Sequence, residues 1–292
     1  FSQQSVTLIF ELAGSISSAV PRFGPAAGST VVSVSGVFRD FSRNYECLFG
    51  EASRPSKLIS SSLLHCISPP QALGKVTLRI LSSEEEISGG GLSFEYVSDS
   101  EILTLVPSCG PSQGGTPITV TGRHFIDHGQ AFCNFGWMST TKATVVSHSL
   151  LLCHSPASRR SEQLSVAVSM NGWDYSASNA VFMIYPEIKL MALTPVTVFH
   201  MTNPTVTVHG VTFSEQHQIT ALIDGNLTEV ADWRSKNEIT VSIPDFVRPG
   251  KHAISISQNG VDYSSSLLVF EVQALHSLSV WPTRGSIEGG TV

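Results

Sequence analysis

The residues in this chain best placed to do chemistry are its five cysteines. Four fall into two pairs: Cys47 and Cys66 lie 19 positions apart, Cys133 and Cys153 lie 20 apart. Cys109 is the odd thiol. Asn226-Leu-Thr228 is an acceptor triplet for an N-linked sugar, whereas Asn203-Pro-Thr205 is blocked by its proline. Two clusters suggest a metal. His124, Asp127 and His128 are close in sequence, but His-x-x-x-His ligation needs a helix and Gly129 follows at once, so a solvated loop is expected. Glu84, Glu85 and Glu86 would have to converge on calcium, yet neighbours on a strand point to opposite faces. A solvated hairpin tip is expected there. The ten histidines show no zinc-type spacing with cysteine. No serine sits in a Gly-x-Ser-x-Gly elbow, and no glycine-rich loop opens a helix that would cradle phosphate. The expectation is no catalytic residue, no metal and no cofactor.

What positions these residues is a repeat. Pro21, Pro107, Pro195 and Pro282 recur at intervals of 86, 88 and 87. Gly36, Gly122 and Gly210 recur at 86 and 88, and Phe94, Phe182 and Phe270 at 88. Three markers with one period divide the chain into units at 13–98, 99–186 and 187–273. Residues 1–12 read as the last strand of a preceding unit, and 274–292 as the first strands of a following one. The cysteine pairs occupy the same repeat positions, and in the third unit Leu222 and Val241 stand at the matching places. Both cysteines are lost together, as a buried disulfide predicts. Cys47–Cys66 and Cys133–Cys153 bridges would each contribute about 3 kcal/mol in the chain-entropy model and would place the chain in an oxidising compartment. Two pairs of buried free thiols are the alternative. Cys109 aligns with Phe23, Thr197 and Arg284, in a turn between units that should be exposed. An intermolecular disulfide, a free thiol and a bond to a group outside the chain all fit it.

Charged residues make up 14% of the chain and the net charge is −6, without a run of Lys or Arg. A nucleic-acid binder usually carries a basic patch, and none is visible here, so no nucleic-acid partner is expected. No apolar stretch reaches the roughly 18 residues of a membrane helix, so no direct membrane insertion is expected of this segment. Short alternating runs such as Ile102–Val106, Pro117–Thr121 and Leu150–His154, with turn signals between them, predict antiparallel β-sandwiches. Asn171-Gly172 and Asn259-Gly260 read as type I′ hairpin turns, with positive φ at both residues. Asp174 and Asp262 follow these turns and are expected to bond local amides. Trp137 and Trp173 fall in turns and are candidate contact aromatics, or else pack on a neighbouring unit or a glycan.

Pro111-Ser-Gln-Gly-Gly-Thr-Pro-Ile-Thr-Val-Thr-Gly122, Cys133-Asn-Phe-Gly136, Leu152-Cys-His-Ser-Pro156 and Asn171-Gly-Trp-Asp-Tyr175 together resemble the IPT/TIG family. These are immunoglobulin-like domains shared by plexins, transcription factors and large surface proteins. The first unit lacks the Asn-Gly-x-Asp-Tyr stretch; the third lacks Gly-Gly-Thr and both paired cysteines. The resemblance implies an all-β chain of tandem E-set sandwiches, and the short links between units suggest that they are arranged as a rod. The expected role is a non-catalytic extracellular structural or adhesive protein, secreted or at the cell surface. It would form a segment of a tandem-repeat fibre such as a flagellar hair or glycocalyx component. Its partners would be neighbouring repeats, copies of itself, and glycans. The stalk of a plexin-like receptor, an accessory module of a secreted carbohydrate-active enzyme and a Rel-type transcription factor are the alternatives.

Overall fold

The computed structural model describes residues 14–38, 44–82, 85–87 and 90–274. The strand expected at 1–12, all but the first residue of the strands expected at 274–292, and Glu84 lie outside the described residues.

The first sandwich comprises β1 (Ser15–Val20), β2 (Phe23–Pro25), β3 (Val31–Val37), β4 (Tyr45–Phe49), β5 (Ala52–Pro55), β6 (Lys57–Ser60), β7 (Leu63–Ile67), β8 (Gly74–Ser82), β9 (Glu85–Glu86) and β10 (Leu92–Val97). The second comprises β11 (Glu101–Val106), β12 (Cys109–Pro111), β13 (Pro117–Arg123), β14 (Phe132–Phe135), β15 (Ser139–Lys142), β16 (Thr144–Ser147), β17 (Leu150–His154), β18 (Glu162–Ser169) and β19 (Val181–Tyr185). The third comprises β20 (Lys189–Thr194), β21 (Thr197–Phe199), β22 (Thr205–Val211), β23 (Thr220–Ile223), β24 (Leu227–Ser235), β25 (Glu238–Ser242), β26 (Gly250–Ser257) and β27 (Leu268–Gln273). No helix occurs among the described residues.

Period-2 alternation explains the layering. Val32 and Val34, Ile118 and Val120, and Val206 and Val208 all point inward from equivalent strands. One sheet of the first sandwich has the order β1-β3-β7-β6 and the other β2-β10-β8-β4-β5, with β9 on β8. The second repeats this as β11-β13-β17-β16 and β12-β19-β18-β14-β15. Edge-to-face rings fill the cores: Phe49 on Phe94 at 5.2 Å, and Phe135 on Phe182 at 5.8 Å between centroids. Gly122 is where β13 crosses close to β11. A Cβ there would strike the Glu101 carbonyl and the buried Phe125 ring.

Cys47 on β4 is bonded to Cys66 on β7, and Cys133 on β14 to Cys153 on β17, with Cα atoms 5.8 and 6.4 Å apart. Each bond joins the two sheets of its sandwich. The third sandwich is tied differently. Its β24 pairs with β23 through Leu227–Val230 and with β25 through Ala231–Ser235, so one continuous strand carries eight strands along a single path. The register corrects the sequence alignment here. Cys133 opposes Val168, and the residue in that place of the third sandwich is Ala221, opposite Ile256; Leu222 is the next residue and faces the other way. A slip of one residue exchanges the faces of a strand. Ala221 and Val241, both fully buried, fill the space of the absent disulfide.

The short strands β2, β12 and β21 are not apparent from the sequence. Phe-Gly-Pro and Cys-Gly-Pro read as turns, yet each three-residue piece pairs in parallel with the last strand of its sandwich. The turn prolines Pro21, Pro107 and Pro195 stand just before them, each in a cis peptide bond. By contacts the chain forms two compact units: residues 1–108, 117–156 and 163–182 in one, and 109–116, 157–162 and 183–292 in the other.

Candidate functional site

The most fully built polar site of the first unit lies in the loop after β18. Residues 170–180 do not make the expected type I′ hairpin. Gly172 has φ 80°, but Asn171 is absent from the positive-φ residues. The Asn171 side chain is instead buried, 3% exposed. Its Oδ1 accepts from the amides of Trp173 (3.0 Å) and Asp174 (2.9 Å) and from Ser169 Oγ (3.2 Å). Its Nδ2 donates to Asp174 Oδ2 at 2.7 Å and to the Phe23 carbonyl of the first sandwich at 2.9 Å. Asp174 Oδ2 also accepts from the hydroxyl of Thr30, itself fully buried, at 2.8 Å. Asparagine suits the position because it offers an acceptor and two donors on one short arm. Gly24 has a matching cause: a Cβ there would collide with the Thr30 hydroxyl. Asp174 thus bonds across to another repeat as well as locally, which the expectation from its own turn did not include.

The same clasp recurs in the second unit, atom for atom. Asn259 Nδ2 donates to the Cys109 carbonyl at 2.9 Å and to Asp262 Oδ2 at 2.7 Å. Its Oδ1 accepts from the Val261 and Asp262 amides at 3.0 and 2.8 Å. The Thr116 hydroxyl donates to Asp262 Oδ2 at 2.7 Å. Buried polar groups are stable only when paired, and both loops satisfy that condition through the neighbouring repeat. The halves are unevenly distributed. The first repeat has no Asn-Gly-x-Asp-Tyr stretch, and the third has Pro204 where the others have Thr30 and Thr116.

Cys109 sits beneath this second clasp. It is 5% exposed, with its sulfur 3.9 Å from the Gln258 carbonyl, so the expected exposed turn is corrected to a buried strand. The cause is the covering loop, which no local sequence signal reports. Among the described residues it is the free cysteine. Burial, with a contribution from the Asp262 carboxylate, pushes its thiol from 9.0 up to about 11. The thiolate is the reactive form. Two pH units therefore lower its population about 100-fold. Labelling of Cys109 by an aromatic disulfide at neutral pH is expected to be at least about 100-fold slower in the folded protein than in denaturant. Equal rates would contradict the burial. The Tyr185 hydroxyl at the same clasp is raised by burial and by the nearby Cys109 and Asp262.

The remaining sequence candidates are dispersed. Asn226 is exposed in the turn between β23 and β24. That turn is held by Asp224, whose carboxylate accepts from the Ala253 amide at 2.8 Å and contacts His252 Nδ1 at 2.6 Å. Trp137 is 77% exposed between β14 and β15, and Trp173 is 56% exposed on the clasp loop itself. His124 Nδ1 lies 2.9 Å from the Asp99 carbonyl, Asp127 caps the Gly129 amide, and His128 packs on the Phe23 ring at 4.5 Å. Among the described residues no three His, Cys, Asp or Glu are grouped to hold a metal.

Sequence could have pointed to the clasps. Thr30 and Thr116 are 86 apart, Asn171 and Asn259 are 88 apart, and so are Asp174 and Asp262. Only the folded chain shows that members of the two sets meet.

The IPT/TIG domain family matches residues 15–96, 100–185 and 190–272. Mouse Plexin-A2 is 27% identical over 148 residues, covering 49% of this chain and 8% of that protein. Human Plexin-A3 is 29% identical over 148 residues, covering 47% of this chain and 8% of its own. The chain therefore spans less than a tenth of the length of these relatives. Among solved structures, the full extracellular region of Plexin A4 superposes with a TM-score of 0.44 at 16% identity, over 89% of this chain and 24% of that one. With three tandem matches covering most of its length, the chain belongs to the IPT/TIG family.

Proposed function

We propose that this protein is a non-catalytic extracellular spacer, a segment of a tandem-repeat surface fibre or filament whose repeats are joined by polar clasps. The observation that carries this reading is the repeated clasp: the same side-chain contacts set the junction from Asn171 to Phe23 and from Asn259 to Cys109. A fixed junction between successive repeats is what a load-bearing or reach-extending element needs. Two disulfides support an oxidising compartment. The exposed turn at Asn226 would carry a glycan, and Trp137 and Trp173 would offer aromatic contact surface to copies of the chain or to sugars.

A second reading is the stalk of a plexin-like receptor ectodomain, favoured by the 27% and 29% identities to Plexin-A2 and Plexin-A3 over about half of the chain. Negative-stain microscopy of native material separates the two. Long polymers of uniform width are expected for the fibre. Monodisperse single particles would overturn it and favour the stalk.

A further inference from the structure

A second polar feature of the first unit lies outside the clasp. A groove of about 440 Å³ is lined by Arg22, Lys75, Ser93, Glu95, His128 and Gln130, with Phe23 among its apolar lining. All of these residues belong to one compact unit. Ser93 and Glu95 are two apart on β10 and so share a face. Lys75 on β8 stands directly opposite Glu95, with its Nζ 4.0 Å from the carboxylate. Arg22 leads into β2, and its carbonyl accepts from the Glu95 amide at 2.9 Å. The backbone beneath the guanidinium is thus fixed, while the side chain is exposed. His128 comes from the loop after β13 and packs on the Phe23 ring at 4.5 Å. The clasp holds Phe23 in turn, since the Phe23 carbonyl accepts from Asn171.

The charges of this groove do not cancel. Lys75 offsets Glu95, but among the described residues Arg22 has no ion pair. An unmatched guanidinium in a concave site of a chain with net charge −6 calls for a cause. The fold does not supply one: Ser108 and Val196 follow the matching prolines of the next two repeats. A guanidinium presents a planar fork that fits a carboxylate with two parallel hydrogen bonds. Beside it, Glu95 accepts, and Ser93 and Gln130 both donate and accept, which is the mixture that hydroxyl groups require. The volume falls within the range of about 300–1,000 Å³ that holds small molecules. Glu95 also limits the charge of a ligand. A polysulfated chain would bring several negative groups against it, whereas a single carboxylate meets Arg22.

We propose that this groove binds a carboxylated sugar, with Arg22 holding the carboxylate and Ser93, Glu95 and Gln130 holding the hydroxyls. A sialic-type sugar and a uronic acid share that chemistry. The inference stands apart from the choice between fibre and stalk.

The test titrates the 292-residue chain with 3′-sialyllactose and with glucuronic acid, following backbone amide shifts. A saturable shift at Ser93, Glu95 and His128 is expected with at least one of the two acids, and none with lactose or glucose, which lack the carboxylate. A response to sialyllactose alone assigns a terminal sialic-type sugar, a response to glucuronic acid alone assigns a uronic acid, and either supports the proposal. Arg22→Ala should weaken binding at least tenfold without unfolding the chain, because the side chain is exposed. Arg22→Lys keeps the charge but not the fork and should fall between. Arg234→Ala, exposed on the third sandwich, should change nothing. The proposal is overturned if neither acid gives a saturable shift, if the neutral sugars bind as well, if Arg22→Ala binds unchanged, or if a sulfated heparin oligosaccharide binds this groove more tightly than both acids.

Discussion

Reduction of the two disulfides is expected to lower the unfolding free energy of the first and second sandwiches by about 3 kcal/mol each and to leave the third unchanged. Each bond closes a loop, with sequence separations of 19 and 20, and removing it restores that loop's freedom to the unfolded chain. The third sandwich has nothing to reduce, since Ala221 and Val241 occupy the equivalent place and β24 runs unbroken between the sheets. Hydrogen exchange resolved by peptide in a denaturant series would report each sandwich separately. A fall in the third sandwich parallel to the others would show that the three do not unfold independently. No change in the first two would show that the bonds add nothing to the native state.

Asn171→Ala is expected to cost about 2–3 kcal/mol, the second largest effect. The substitution leaves the Trp173 and Asp174 amides and the Phe23 carbonyl without the partner they have in the folded protein. Exchange of amides in Phe23–Thr30 should accelerate together with the loop 170–176, because the clasp orders both sides. Asn259→Ala should act in the same way on Cys109–Thr116 and should also speed labelling of Cys109, whose cover includes Gln258. Thr30→Val removes one hydroxyl only and should cost less. Combined with Asp174→Ala it should be less than additive, since the two share one hydrogen bond. Additive effects would mean that the Thr30 hydroxyl and the Asp174 carboxylate do not act as a pair.

The loop 170–176 shows why part of this site stayed hidden. Asn-Gly before Trp-Asp-Tyr is a strong local signal for a tight hairpin, and the chain does turn there, with Gly172 at positive φ. The asparagine side chain, however, is drawn into bonds with Phe23, 148 residues earlier in the sequence. The burial of Cys109 is hidden for the same reason in reverse. Its own neighbours, Ser108 and Gly110, read as an exposed turn, while its cover comes from Gln258, 149 residues away. Leu222 was mistaken for the residue facing the core because a count of spacing carries no register, and pairing of Ala221 with Ile256 decides the face.

By itself the sequence determined the repeat, the all-β sandwich and the inward rows of Val32, Val34, Ile118, Val120, Val206 and Val208, because period-2 burial and turn residues act over a few positions. The tertiary structure alone decided that Thr30 meets Asp174, that Thr116 meets Asp262 and that a thiol lies beneath the second clasp. Those contacts join residues some 145 positions apart, and their energy comes from satisfying buried polar groups across a junction. No local pattern of residue types records such a meeting until both surfaces have formed.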